Sequence, residues 1–144
     1  MRTLSLDPGG TTGIYWTDGE QQEEFYQITN QNWKEHYVTI SQLIQTKQPN
    51  LLLFEDTNYI GQRTKEGLSL FRLLGALEVL TVERIEKVNV IKVKELTKKL
   101  YQGVKKLEGL EYLPGRGKGW MFKGQRVSIH CLEAYLVAWL FKNG

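Results

Sequence analysis

Four residues in this chain carry reactive side chains in surroundings that do not suit them. Asp7 closes the alternating run Leu4-Ser5-Leu6 and is followed at once by Pro8-Gly9-Gly10. Glu55 closes the continuous apolar run Leu51-Leu52-Leu53-Phe54. His130 and Glu133 interrupt a stretch that is otherwise apolar nearly all round, from Ile129 to Leu140, and their i,i+3 spacing puts both on one helical face. Acids are rarely left in such places without a partner, because burying an unpaired carboxylate costs several kcal/mol. Three carboxylates and one imidazole form an oxygen-rich donor set that suits Mg²⁺ or Mn²⁺, and it could hold two ions flanking a scissile phosphate. Such a pair would polarise the phosphate, generate hydroxide from bound water and stabilise the leaving 3′ oxygen, giving 5′-phosphate and 3′-hydroxyl ends. Each residue also has an ordinary reading: Asp-Pro-Gly is a common turn, and a lone histidine on an apolar helix is most often a hydrogen-bonded core residue.

The elements that must position these groups can be read from the pattern. Leu4 and Leu6 have the period of a strand with one buried face, and the Pro-Gly-Gly turn leads to a second strand, Ile14–Trp16. Asp18-Gly19 is a hairpin signal, so a third, half-exposed strand around Phe25 and Ile28 completes a meander. Trp33, Tyr37, Ile40 and Ile44 predict a helix over Asn32–Lys47, ended by Gln48-Pro49, with His36 at its surface. Asn50–Asp56 reads as a central strand covered on both faces, and a crossover would lay it parallel to the first strand, bringing Glu55 near Asp7. A polar loop, Thr57–Glu66, contains Tyr59 and Arg63. A helix over Gly67–Val82 follows, in which Gly75 costs about 1 kcal/mol relative to alanine and suggests a close helix approach from another subunit. Then come a strand over Glu86–Ile91, a lysine-rich helix over Lys92–Leu100, and a glycine-rich basic loop over Gln102–Lys118 that reads as mobile. Trp120, Met121 and Phe122 either anchor that loop to the core or meet a nucleic-acid base, anchoring being preferred. The last helix, from about Arg126 to Phe141, must pack against a sheet. The fold class is α/β: a five-stranded mixed sheet, a three-stranded antiparallel meander plus parallel strands, flanked by helices in one domain spanning residues 1–144.

Composition agrees with one domain. Hydrophobic residues make up 41% of the chain, enough for a real core without disulfides, and the single cysteine, Cys131, reads as a core thiol in a reducing compartment. With no signal peptide and no apolar run of membrane-spanning length, the expectation is a soluble, cytoplasmic protein without a membrane partner. The net charge of +3 is unevenly spread: residues 1–83 hold 6 Lys/Arg against 11 Asp/Glu, residues 84–126 hold 12 against 4, and residues 127–144 one of each. Metal-binding acids in one half and phosphate-contacting cations in the other would produce this pattern; so would an ordinary solvated lysine face. On the first reading the DNA-binding candidates are Arg63, Lys98, Lys99, Lys105, Lys106, Arg116, Lys118, Lys123 and Arg126.

The opening Leu-Ser-Leu-Asp-Pro-Gly-Gly-Thr-Thr-Gly resembles the first strand of RuvC-type Holliday junction resolvases, members of the ribonuclease H-like superfamily. Leu53-Phe54-Glu55 resembles the second acidic strand of that family, Ser69–Leu80 its long helix, and His130-Cys-Leu-Glu133-Ala its C-terminal pair of metal ligands. The resemblance implies Asp7, Glu55, His130 and Glu133 as ligands of two Mg²⁺ ions, with Mn²⁺ able to substitute. It also implies a homodimer, joined through the Gly67–Val82 helix, that cuts a four-way DNA junction by two symmetrical nicks in a bacterial or phage-infected cell. Lys123 resembles a basic residue that the family places near the scissile phosphate, and Tyr59 an aromatic inserted at the junction centre. The family more often has Asp-x-x-Asp where this chain has His-x-x-Glu. The longer glutamate affects metal spacing, and the compact length looks more like a phage or mobile-element relative.

Competing readings remain open. Asp-x-Gly-Gly-Thr also resembles the phosphate loop of actin-like kinases and ATPases, but those need two such domains and give no role to His130 and Glu133. A RuvC-like nuclease processing pre-ribosomal RNA would keep the acids and change the substrate. A non-catalytic nucleic-acid-binding module would keep the basic block and lose the acids, whereas all four candidate ligands, three acids and His130, are present.

Overall fold

Strand alternation decides which way the acids point. The computed structural model describes residues 1–56 and 65–144, with strands β1 (Thr3–Asp7), β2 (Thr11–Thr17), β3 (Glu23–Thr29), β4 (Leu51–Asp56), β5 (Arg84–Asn89), β6 (Leu110–Leu113), β7 (Gly119–Phe122) and β8 (Gln125–Val127), and helices α1 (Trp33–Lys47), α2 (Lys65–Leu77), α3 (Val90–Tyr101) and α4 (Ile129–Asn143). The main sheet has the order β3-β2-β1-β4-β5. The β1–β2 and β2–β3 pairs are antiparallel, and the β1–β4 and β4–β5 pairs parallel. This is the expected meander plus parallel strands, with the crossover setting β4 directly beside β1.

Two apolar clusters sandwich the sheet. Leu4, Leu6, Leu52 and Phe54 point to one face, where they pack with Ile40 of α1 and Leu73, Leu74 and Leu77 of α2. Leu51 and Leu53 point to the other, with Val93, Leu96 and Leu100 of α3 and Leu132, Leu136 and Val137 of α4. With a side-chain period of two, Asp7 falls in phase with Ser5, and Glu55 with Leu53, so both acids face α4. Ser5 Oγ donates to the Ala134 carbonyl at 2.7 Å, tying α4 to β1 on that face. Fully burying each of these apolar side chains contributes about 1.5–3 kcal/mol, so the central strands hold much of the fold's stability.

Several expectations are corrected. His36 is buried, not at the surface: its Nε2 lies 2.8 Å from the Asn30 carbonyl and its Nδ1 2.7 Å from Thr12 Oγ1, so both ring nitrogens are partnered and burial costs little. The second long helix ends at Leu77 rather than Val82, where Val79 and Leu80 form a turn bonded back to Ala76 and Leu77. Gly75 is exposed, and among the described residues nothing would meet a side chain there, so the expected approach from another subunit is not replaced by one within this chain. The strand expected to reach Ile91 stops at Asn89, whose Oδ1 accepts from Ile91 N at 2.7 Å and so starts α3 two residues earlier than expected. Similarly Ser128 caps α4, whose expected first turn is taken by β8 and the cap itself. The glycine-rich region expected to be a loop folds in part: β6, β7 and β8 make a second, three-stranded antiparallel sheet. Alternation of Trp120 and Phe122 (buried) with Gly119 and Met121 builds its central strand, so these aromatics anchor. Cys131 is a free, buried thiol, as expected. Among the described residues no helix is long and apolar enough to cross a membrane.

Candidate active site

The carboxyl ends of the parallel strands are where open α/β sheets place their ligands. Here those ends carry Asp7, Glu55 and Asn89. The β1–β4 register pairs Leu6 with Phe54, and one step further along sit Asp7 and Glu55, side by side on the α4 face. α4 brings the third acid. Its N-terminal turn lies so close to β2 that a Cβ on Gly13 would fall 2.0 Å from the His130 carbonyl oxygen, and Gly13 is the β2 partner of Asp7. A side chain at Gly13 would therefore push α4 off the sheet at the point where it reaches the acids. Asp7, Glu55 and Glu133, all buried, each offer a carboxylate oxygen such that the three lie within 4.8 Å of one another.

Three acids so close cannot all hold charge cheaply. Burial pushes Asp7 up to about 6; the bond from Glu55 opposes this, and the Glu133 charge adds to it. Glu55 goes further, to about 9, through burial, the neighbouring Asp7 charge and their shared hydrogen bond, in which the protonated Glu55 donates. Among the described residues, Glu55 Oε2 is buried without a hydrogen-bond partner. Lys94, at the second turn of α3, supplies a counter-charge: its Nζ donates to both Glu133 oxygens, at 2.8 and 2.6 Å. Burial works against its ammonium, but the bond to Glu133 and the charges of all three acids outweigh it, and its pKa is raised. An orphaned carboxylate oxygen amid three converging acids fits a hard divalent cation, whose charge would satisfy what a single lysine only partly offsets.

Of the residues singled out from sequence, the structure brings Asp7, Glu55 and Glu133 together and sets His130 at the rim. His130 Nδ1 is 3.6 Å from Asp7 Oδ2, beyond a hydrogen bond, with its side chain 42% exposed. Lys123 is not at this site. It occupies the β7–β8 turn, its ammonium pairs with Glu23 at the start of β3, and Glu23 lies in register with Thr17 and hence with the Thr3 end of β1. That end is the opposite edge from Asp7, about 13 Å away along the strand. Arg126 is committed to structure: its guanidinium donates to the Gly117 and Lys118 carbonyls at 2.7 and 3.1 Å, holding the β6–β7 turn. Lys98, Lys99, Lys105, Lys106, Arg116 and Lys118 are exposed, and Tyr59 and Arg63 lie outside the described residues.

Sequence reasoning missed Lys94 and the role of Gly13. Lys94 was hidden among eleven other cations of the basic segment; the signal was its position one turn into the helix that follows the third parallel strand. Gly13 had no role assigned from the sequence, and the space beside it is taken by the backbone of α4.

No protein-family model matches the sequence, and no curated protein matches it. Solved structures do resemble the fold. Thermus thermophilus RuvC in complex with a Holliday junction substrate superposes with a TM-score of 0.59 at 14% identity, covering 96% of this chain and 90% of that one. A second T. thermophilus RuvC structure gives 0.54 at 16% identity, covering 96% and 91%. The five-stranded mixed sheet with flanking helices is thus the ribonuclease H-like fold of those proteins.

Proposed function

We propose that this chain is a divalent-metal-dependent endonuclease that nicks branched DNA, with four-way junctions as its substrate. The observation that carries the reading is the convergence of three buried carboxylates, one with an orphaned oxygen, at the carboxyl end of the sheet. Structural or ion-pairing roles do not call for three adjacent acids against one lysine. The fold likeness to a RuvC seen with a Holliday junction supports branched DNA over other polyanions.

Asp7, Glu55 and Glu133 would hold Mg²⁺ or Mn²⁺, with His130 beside Asp7 as the further ligand of a two-ion site. Bound there, the ions supply polarisation of the scissile phosphate and a water acidic enough to attack it, leaving 5′-phosphate and 3′-hydroxyl ends. The chain's own residues do the rest. Burial of Asp7 and Glu55 keeps bulk water from competing with substrate oxygens. Lys94, now bonded to Glu133, is the one lysine or arginine paired with the cluster among the described residues and becomes available to a phosphate once the acids are otherwise neutralised.

Two nicks in a symmetrical junction call for two active sites. α2 supports a homodimer: opposite its buried face, Leu68 and Phe71 are exposed beside Gly75, a strip on which a second helix could approach closely.

The test is a nicking assay with Mg²⁺ or Mn²⁺ on a synthetic four-way junction, a flap, an RNA–DNA hybrid and linear duplex. Paired nicks in the junction, absent with EDTA, are the expected result. Cleavage confined to the hybrid would move the substrate to RNA, and no metal-dependent cleavage of any substrate would sink the reading.

A further inference from the structure

A second feature lies beyond the acidic cluster. Between the C-terminal end of α3 and the β6–β7 hairpin is a cleft of about 620 Å³. Tyr101, Tyr112 and Trp120 follow one another along its wall edge to face, with ring centroids 4.9 and 5.0 Å apart. Burial grades along this ladder: Trp120 is 7% exposed, Tyr112 half-buried and Tyr101 61% exposed. Trp120 and Tyr112 are accounted for as the seam between α3 and the second sheet. Packing does not account for Tyr101, a large ring left mostly in water at the mouth of a cleft. Lys105 and Lys106 line the same cleft, with Glu111 as its one acid. Neither lysine has a carboxylate partner among the described residues, and Lys105 Nζ instead sits 5.0 Å over the Trp139 ring.

The cleft is joined to the acidic site by one helix face. Lys94, Lys98 and Tyr101 stand at i, i+4 and i+7 on α3, all exposed, so a cationic strip runs from the Glu133 carboxylate to the mouth of the cleft over about 10 Å. An aromatic face flanked by ammonium groups is what a base with its neighbouring phosphates requires. A duplex keeps its base faces covered, so the ring can be used only by a base that is out of its stack.

We propose that this cleft is a stacking site for an unpaired nucleobase, with Tyr101 as the platform and Lys105 and Lys106 on the flanking phosphates. The proposal rests on the nucleic-acid reading above but not on metal-dependent cleavage. It assigns a base left unpaired at the branch point, rather than a duplex arm, to the far end of α3.

The test is fluorescence anisotropy in EDTA with a short oligodeoxythymidylate and, separately, a linear duplex, using wild type, Tyr101→Ala, Tyr101→Phe and Lys106→Ala. Tyr101→Ala is expected to weaken single-strand binding about tenfold and to leave duplex binding unchanged; Tyr101→Phe keeps both. Lys106→Ala is expected to lower the salt slope of single-strand binding by roughly one. A 2-aminopurine in the strand is expected to be quenched by wild type and not by Tyr101→Ala. The proposal is overturned if Tyr101→Ala binds the single strand as wild type does, or loses single strand and duplex equally. Because no metal is present, these outcomes are independent of whether the acidic cluster cuts anything.

Discussion

The two ends of α3 set contrasting problems. Beside its N-terminal end lie buried acidic side chains carried by two strands and a second helix; at its C-terminal end the side chains are exposed, largely basic and set against a small hairpin sheet. A buried carboxylate is an anomaly that demands a reason, because the alternative uses of that position are all apolar. An exposed lysine demands none. A role for the first region therefore follows from its energetics, whereas one for the second follows only from how its cations are arranged around aromatic rings.

The largest effect that would break this contrast is on the acids. Asp7→Asn is expected to cut junction cleavage by on the order of a thousandfold, the loss of several kcal/mol of transition-state stabilisation, while junction binding is retained or tightened. Single-turnover rates and a binding titration check both halves, and equal loss of cleavage and binding would mean that the acids serve folding instead. Next in size is Gly13→Ala. With the His130 backbone 2.0 Å from the added carbon, the expected cost is about 1–3 kcal/mol or more by thermal melting, with cleavage lost alongside. Gly10→Ala, where a side chain meets open space, should leave the melting temperature almost unchanged.

The acidic end should also respond to pH in a defined direction. Asp7 and Glu55 keep their protons to higher pH in the fold than in the unfolded chain. The fold therefore binds more protons between the ordinary carboxylate range and about pH 9, and the metal-free protein loses stability as pH rises through that window. A divalent cation removes the penalty, so the gain in melting temperature on adding Mg²⁺ should be larger near pH 8 than near about pH 5.5. An equal gain at both would mean that the ion binds elsewhere. Smallest are the effects at the basic end. Arg116→Ala and Lys118→Ala should each lower the salt slope of duplex binding by roughly one. Lys123→Ala should leave the cleavage rate constant within about threefold, since its partner is Glu23 at the opposite edge of the sheet, and the ion pair it loses is an exposed one.

The sheet and the acids were legible in the sequence for the same reason. Alternation at Leu4 and Leu6, the continuous run before Glu55 and Glu133 in the apolar last helix are all read from burial, and burial is what fixes them. What escaped was held by relations between distant residues. His36 is buried because Thr12 and Asn30 supply both partners for its ring, and neither can be seen from the helix that carries it. Gly13 matters because α4 crosses it more than a hundred residues later in the chain. Lys123 and Arg126 looked like their basic neighbours, yet one pairs with a strand end and the other with two carbonyls of a turn. The second sheet was hidden because glycine and lysine outnumber the few alternating aromatics that build it.

Whether the three converging carboxylates are the metal-dependent cutting site is decided by the single-turnover rate of four-way junction cleavage as a function of Mg²⁺ concentration, for wild type and Glu55→Gln in parallel. A saturable rise is expected for wild type and background cleavage for Glu55→Gln at every concentration, with the variant at least as heat-stable as wild type near pH 8. Cleavage by Glu55→Gln with the wild-type rate and Mg²⁺ dependence would rule out a cutting site built on these acids.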